Sequence, residues 1–168
     1  MTGPASILAI EARHDAFFRV AAKISHIPNP APFDTAISGI YALNLAQPFV
    51  VPGSCPDGMP DFPIIPALKQ TSGASPLTGS TGPIDFSFDP SQVKNFDSKT
   101  TYYIGWVNQA NVINYTPATV SADGKVKSTI PGGMAGLAFA ALTGQNGKAD
   151  VDGLTGVTVA GPAPVQIS

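Results

Sequence analysis

Cysteine, histidine and charge are all scarce in this chain. Of 168 residues, one is cysteine, two are histidine and 12% are charged, about half the usual quarter. With only Cys55, an internal disulfide framework is excluded. In a secreted protein an odd cysteine points to an intermolecular disulfide; an inert thiol at Cys55 is an equally weighted reading. The nine Lys and Arg are scattered singly from Arg13 to Lys148 and the formal net charge is −2. A nucleic-acid partner, which calls for a basic patch, is therefore not expected. No apolar run approaches the roughly 20 residues needed to span a bilayer, so no membrane span is expected. Met1-Thr2-Gly3-Pro4 lacks the basic flank of a signal peptide, and the chain reads as a mature or truncated form.

What the chain has in quantity is glycine and proline, 17 of each, with 43% hydrophobic residues. Low charge with many turn formers favours short strands joined by tight turns over a helical bundle. The fold expected is mainly β: an immunoglobulin or fibronectin III-like β-sandwich, preceded by one long amphipathic helix, a short helix and a proline-rich connector. Its divisions are a helical segment over 1–47, a connector over 48–83 and the sandwich over 84–168.

Residues 5–25 carry the clearest helical pattern. Ile7, Ile10, Glu11, His14, Phe17, Phe18, Ala21 and Ile24 recur at spacings of three and four, and Pro28 to Pro32 cannot continue the helix. A shorter helix is expected over 38–46, with Ser38 as N-cap. The connector holds eight prolines from Pro48 to Pro83, interleaved with Phe49, Val50, Phe62, Ile64, Ile65 and Leu68. Those apolar residues predict packing along a surface as far as Leu68, whereas Thr71–Gly82 reads as a Ser/Thr/Gly-rich mobile loop.

From Ile84 the chain alternates strand and turn. Ile84, Phe86 and Phe88 share one face of a strand, and Tyr102–Val107 is aromatic and β-branched. Val112–Tyr115 and Ala118–Val120 follow, and Asp123-Gly124 marks a hairpin into Val126–Ile130. Gly136–Thr143 reads as a buried strand, and Leu154–Ala160 and Ala163–Ile167 as two more, separated by Gly161-Pro162. About seven short strands in this rhythm suit a sandwich. Trp106 reads as a core residue, with ligand stacking as the lesser alternative.

Ile10-Glu11-Ala12-Arg13-His14-Asp15-Ala16-Phe17-Phe18-Arg19 resembles the last bundle helix of a secreted fungal ferritin-like family, the stress-response and desiccation-related proteins. Further similarity follows in order: Asn29–Thr35, then Ala46–Val51 with Ser54-Cys55-Pro56, then Val159–Ala163. The resemblance implies secretion and an extracellular location. It also implies three bundle helices preceding residues 5–25, so the chain reads as a C-terminal piece of such a protein.

Glu11 and His14 form half of a carboxylate–histidine metal site, since i,i+3 spacing puts both on one helix face. A di-iron centre needs a second such pair and two more carboxylates, and the other histidine, His26, lies past the helix. A relic pair is therefore favoured over a working site, with zinc shared between two chains as a minor alternative. No resident cofactor is expected. No G-x-S-x-G, phosphate loop or acidic calcium loop is present; Gly132–Gly136 lacks the following Lys-Ser/Thr, and Asp150-x-Asp152-Gly153 reads as a surface loop. The chain is not expected to be an enzyme. Asn114-Tyr115-Thr116 is a glycosylation sequon, weakened by Pro117.

An isolated helix of this length is marginal in water, and each large apolar side chain left wet forgoes roughly 1.5–3 kcal/mol. Residues 5–25 are therefore expected to drive a homodimer. The functional expectation is a non-enzymatic secreted interaction protein that binds glycans or cell-surface receptors, architecturally akin to fungal immunomodulatory proteins. The alternative is a fragment of a ferritin-like metal-binding stress-response protein, inactive without its other helices.

Overall fold

A computed structural model describes residues 2–22, 34–54, 61–72, 81–109 and 112–167. The expectations for Cys55 and His26, for the end of the first helix beyond residue 22, and for most of the 71–82 loop lie outside the described residues.

Helix α1 spans Thr2–Ala21. Pro4 falls in its first turn, where a helix needs no N–H, and no glycine or proline interrupts 5–21. Arg19 Nε closes on Asp15 Oδ2 at 2.7 Å, one turn back. Helix α2, Gly39–Ala46, begins where Ser38 places its hydroxyl to accept from the Tyr41 N–H at 3.2 Å. That cap is the one read from the sequence. A 3-10 turn follows at Gln47–Phe49. Residues 61–68 then run as a strap with no regular secondary structure, ending in the buried Leu68.

Seven antiparallel strands follow: β1 (Lys69–Gln70), β2 (Gly82–Ser87), β3 (Tyr102–Asn108), β4 (Asn114–Val120), β5 (Lys125–Ile130), β6 (Gly136–Thr143) and β7 (Thr158–Ile167). Their order is β1-β2-β5-β4-β3-β6-β7. β4 joins the two halves. Asn114–Ala118 pairs with β3, and Thr119–Val120 pairs with β5. The sheet curls until its ends approach, giving a nearly barrel-like shape. The Gly161 N–H of β7 donates to the Pro66 carbonyl just ahead of β1 at 2.8 Å.

The interior is filled by period-two side chains. Ile84, Phe86 and Phe88 are all buried, as the alternation predicts, and face Ile104, Trp106, Val126, Leu142 and Val165. Trp106 is a core residue. It is wholly buried, its ring lies 6.2 Å from Phe86, and its N–H donates to Thr116 Oγ1 at 2.8 Å. Complete burial leaves no ring face open to a ligand, which removes the stacking alternative.

Two expectations are corrected. Leu154–Ala160 is a strand only from Thr158, where β7 begins: Val151–Thr155 forms helix α3, because the Asp150 side chain accepts the Gly153 N–H at 2.7 Å and caps a helical turn. Asp150 and Asp152 thus belong to a helix start rather than a plain loop. The Gly161-Pro162 break is not a break either. β7 runs continuously through it, because the register shifts opposite Ala141 and Gly161, at φ +130°, fits against the Ala140 carbonyl. Pro162 and Pro164 are accommodated because β7 pairs on one side only, with β6. In addition, β1 forms within the segment read as connector.

Candidate interaction surface

Much of the outer face of β3 and β6 is shielded from solvent. Tyr41, Val107, Ile113, Phe139, Ala141 and Leu154 form a second apolar cluster there, with Ile37, Leu45 and Ile65 packed against it. Leu154 of α3 sits directly over Gly105, whose missing side chain makes the room: a Cβ there would stand 2.7 Å from Leu154 Cδ1. Thus α2, α3 and the strap form a third layer on one side of the barrel.

Hydroxyl and amide groups fasten this layer. The Ser38 and Thr155 hydroxyls lie 2.8 Å apart, and the Tyr41 and Thr158 hydroxyls 2.5 Å apart. Thr155 and Thr158 donate onward to the carbonyls of Val151 and Leu154. Burial pushes the Tyr41 phenol up to about 12, against the smaller opposing pull of the Thr158 and Thr155 hydroxyls. It stays neutral and acts as a structural bolt. Asn44 pins the strap by accepting from the Ile65 N–H at 2.8 Å and donating to the Pro63 carbonyl at 2.9 Å. The Thr35 hydroxyl donates to the Leu137 carbonyl and accepts from the Gln109 N–H at 2.8 Å, tying down the approach to α2.

Where the strap passes the end of α2, it leaves two concavities. One, of about 560 Å³, lies between residues 47–52 and 61–64 and is lined by Pro48, Val50, Pro52, Phe62 and Ile64, with Gln47 and Asp61 as its polar members. The other, of about 470 Å³, lies on the α3 side of the strap, between Ile40, Ile64, Pro66, Asp152 and Thr158. Around the first, Phe49 is 87% exposed and Val51 68%.

The opposite wall of the barrel is polar. Asp85, Ser87, Lys125, Lys127 and Thr129 alternate with the buried positions of β2 and β5. Lys125 meets Asp123 at 2.7 Å. The Lys125 ammonium and the Ser121 hydroxyl hold the Asp123 carboxyl down to about 2.

The residues singled out from the sequence are dispersed. Glu11 and His14 both lie exposed on α1, and the His14 ring faces the Phe18 ring at 6.5 Å. Among the described residues, no three His, Cys, Asp or Glu side chains approach closely enough to hold a metal ion. Asn114 is exposed at the start of β4, but the sequon hydroxyl of Thr116 is committed inside the fold, between Trp106 and Ser128. No described helix is long and apolar enough to cross a membrane. The residues missed by sequence reasoning are Ser38, Tyr41, Asn44, Thr155 and Thr158 as fasteners, and the 47–52/61–64 groove. The signal for the covering layer was there: β3 and β6 are apolar at nearly every position, the mark of strands covered on both faces.

Large exposed apolar side chains are concentrated in two places. Ile7, Ile10, Phe17, Phe18 and Val20 lie on α1; Leu43, Phe49, Val51 and Ile64 lie along α2 and the groove; Val112 alone stands apart. No protein-family model matches the chain, and no curated protein is found to be similar to it.

Proposed function

We propose that this chain is a secreted, non-enzymatic interaction module of immunoglobulin-like topology that works as a homodimer joined through α1. The observation that carries the proposal is the apolar ridge of α1, with Phe17 67% and Phe18 64% exposed. Exposed patches of this kind mark protein contact sites.

The topological part rests on strand order. The four strands β1-β2-β5-β4 and the three strands β3-β6-β7 follow the order of an immunoglobulin constant-type sandwich. In that fold a tryptophan on the third strand packs on a disulfide joining the second and sixth strands. Here Trp106 of β3 packs against Phe86 of β2, so an aromatic contact stands in for the disulfide. The polar groups of the third layer are consumed in holding α2 and α3, which favours binding over catalysis.

Sedimentation velocity tests the dimer. The expected result is a dimer that dissociates when Phe17 and Phe18 are both replaced by serine. A monomer at the highest soluble concentration, with α1 amides protected from exchange, overturns it. Glycan or cell-surface receptor binding is the functional expectation of such a module, and a glycan array and cell-binding assay read it.

A second reading is supported by Glu11 and His14, which share the exposed ridge with Ile7 and Phe17. An apolar helix bearing Glu-x-x-His is what a ferritin-like bundle helix looks like without its bundle. On this reading the purified chain binds neither iron nor zinc, and iron binding returns when the preceding helices of such a protein are supplied. Stoichiometric metal in the chain alone counts against it.

A further inference from the structure

We infer that α1 does not pair with α1 but seats in the 47–52/61–64 groove of a second copy, the two chains exchanging helices about a two-fold axis. The inference rests on the homodimer reading and names the surface that receives the helix.

Among the described residues, nine of the ten large exposed apolar side chains lie on α1, on α2 or in and beside the groove. The ridge is convex and the groove, of about 560 Å³, concave. Ile7, Ile10, His14, Phe17 and Phe18 follow the i, i+3, i+7 spacing by which a helix lays anchors into an apolar groove. At 1.5 Å per residue the ridge from Ile7 to Phe18 is about 16 Å long. Charge agrees as well: Arg13 lies between Ile10 and Phe17 along the helix, and Asp61 is the one charged residue among the described residues that line the groove.

In the single chain the ridge is open, and so are the groove residue Ile64 and the flanking Phe49 and Val51, so neither surface satisfies the other internally. Two-fold exchange covers both ridges and both grooves by repeating one set of contacts twice. Area supports this. Nine apolar side chains, each hiding on the order of 100 Å², give about 900 Å² per docking. Two dockings give about 1,800 Å², within the size of stable interfaces. Reach is sufficient too: residues 23–33 join the helix to the barrel, and eleven residues span up to about 40 Å.

The test compares two full-length double variants by sedimentation velocity, Phe17→Ser/Phe18→Ser on the helix and, at the groove, Ile64→Ser of its lining with Phe49→Ser beside it. All four side chains are exposed, so the barrel is left intact. Both variants are expected to weaken the dimer at least about a hundredfold. In a Cys55→Ser background, chains carrying Phe18→Cys and tagged chains carrying Ile64→Cys are then mixed and oxidised. A mixed covalent dimer is expected. If the groove variant dimerises like the unaltered protein, or only Phe18→Cys chains cross-link to each other, the groove is not the seat while the dimer stands. An unaltered protein that is monomeric removes both the inference and the reading beneath it.

Discussion

Replacing Tyr41 with phenylalanine tests whether the third layer is bolted to the barrel. Tyr41 is wholly buried beneath α2, its hydroxyl 2.5 Å from that of Thr158. At neutral pH the substitution removes one hydrogen bond and leaves Thr158 still donating to the Leu154 carbonyl. The expected cost is about 1 kcal/mol. The alkaline behaviour is more telling. Burial raises the phenol from 10.0 to about 12 in the folded chain. A raised pKa means that the folded state holds its proton where the unfolded state has lost it. The stability tied to Tyr41 is therefore complete below pH 10 and drains away as pH climbs towards 12. At pH 11 the loss is about 1.4 kcal/mol, and well above pH 12 it approaches about 2.7 kcal/mol. Phenylalanine has no proton to lose. Urea denaturation at pH 7, 9 and 11 should show the unaltered protein more stable at pH 7 and the variant equal or better at pH 11. With an ordinary urea slope, the relative midpoint moves by roughly 0.5–1.5 M. A constant offset between the two proteins across that range would refute the burial argument.

Three further outcomes are expected. Gly105→Val should cost about 1–3 kcal/mol in thermal or urea denaturation and loosen α3 in hydrogen exchange, because a Cβ at this position meets Leu154 Cδ1 at 2.7 Å and Tyr115 Cε1 at 3.2 Å. Gly124→Ala should destabilise by well over about 1 kcal/mol, since the residue sits at φ +81° and its Cβ would stand 2.2 Å from the Phe88 carbonyl oxygen; stability close to the unaltered protein's counts against the turn geometry. When the protein is made in a glycosylating secretory host, Asn114→Gln should lower the mass by one glycan without lowering the melting temperature. Thr116→Val should lose the glycan and also about 1–3 kcal/mol, because the Trp106 N–H then lacks its acceptor; equal masses for the unaltered protein and Asn114→Gln show the sequon unused.

The strands were legible where one face is wet. Lys125-Val126-Lys127-Ser128-Thr129-Ile130 alternates exposed and buried without exception, and Asp123-Gly124 announces its turn. The short helix at α2 was legible because a serine cap is a local device, written at one position. Leu154–Ala160 was misread for the opposite reason. Its residues suit a strand, but a carboxylate four positions earlier seizes the Gly153 N–H and starts a helical turn. The third layer announced itself only indirectly, through the unbroken apolar run of β6. The groove could not be read at all. It exists because Asn44 holds the strap at Pro63 and Ile65, some twenty residues on, so that Phe62 and Ile64 meet Pro48 and Val50. In the sequence these are apolar residues among prolines; only the pinned chain makes them a surface.

That pinning also narrows where a partner can bind. A sandwich commonly offers partners its edges or one of its faces. Here β7 carries Pro162 and Pro164, which have no N–H to offer, and the strap carbonyl of Pro66 takes up the Gly161 N–H, so strand addition at that edge is blocked. The outer face of β3 and β6 lies under α2 and α3, locked by the Ser38–Thr155 and Tyr41–Thr158 pairs. The outer face of β2 and β5 is a solvated polar wall bearing Lys125 and Lys127. Among the described residues, and Val112 apart, the remaining large apolar surface is the α1 ridge and the groove with Phe49 and Val51 beside it. A third layer that seals a sheet face while leaving an apolar groove at its own margin places the exposed apolar surface of the described residues on α1 and beside α2, ahead of the barrel rather than on it.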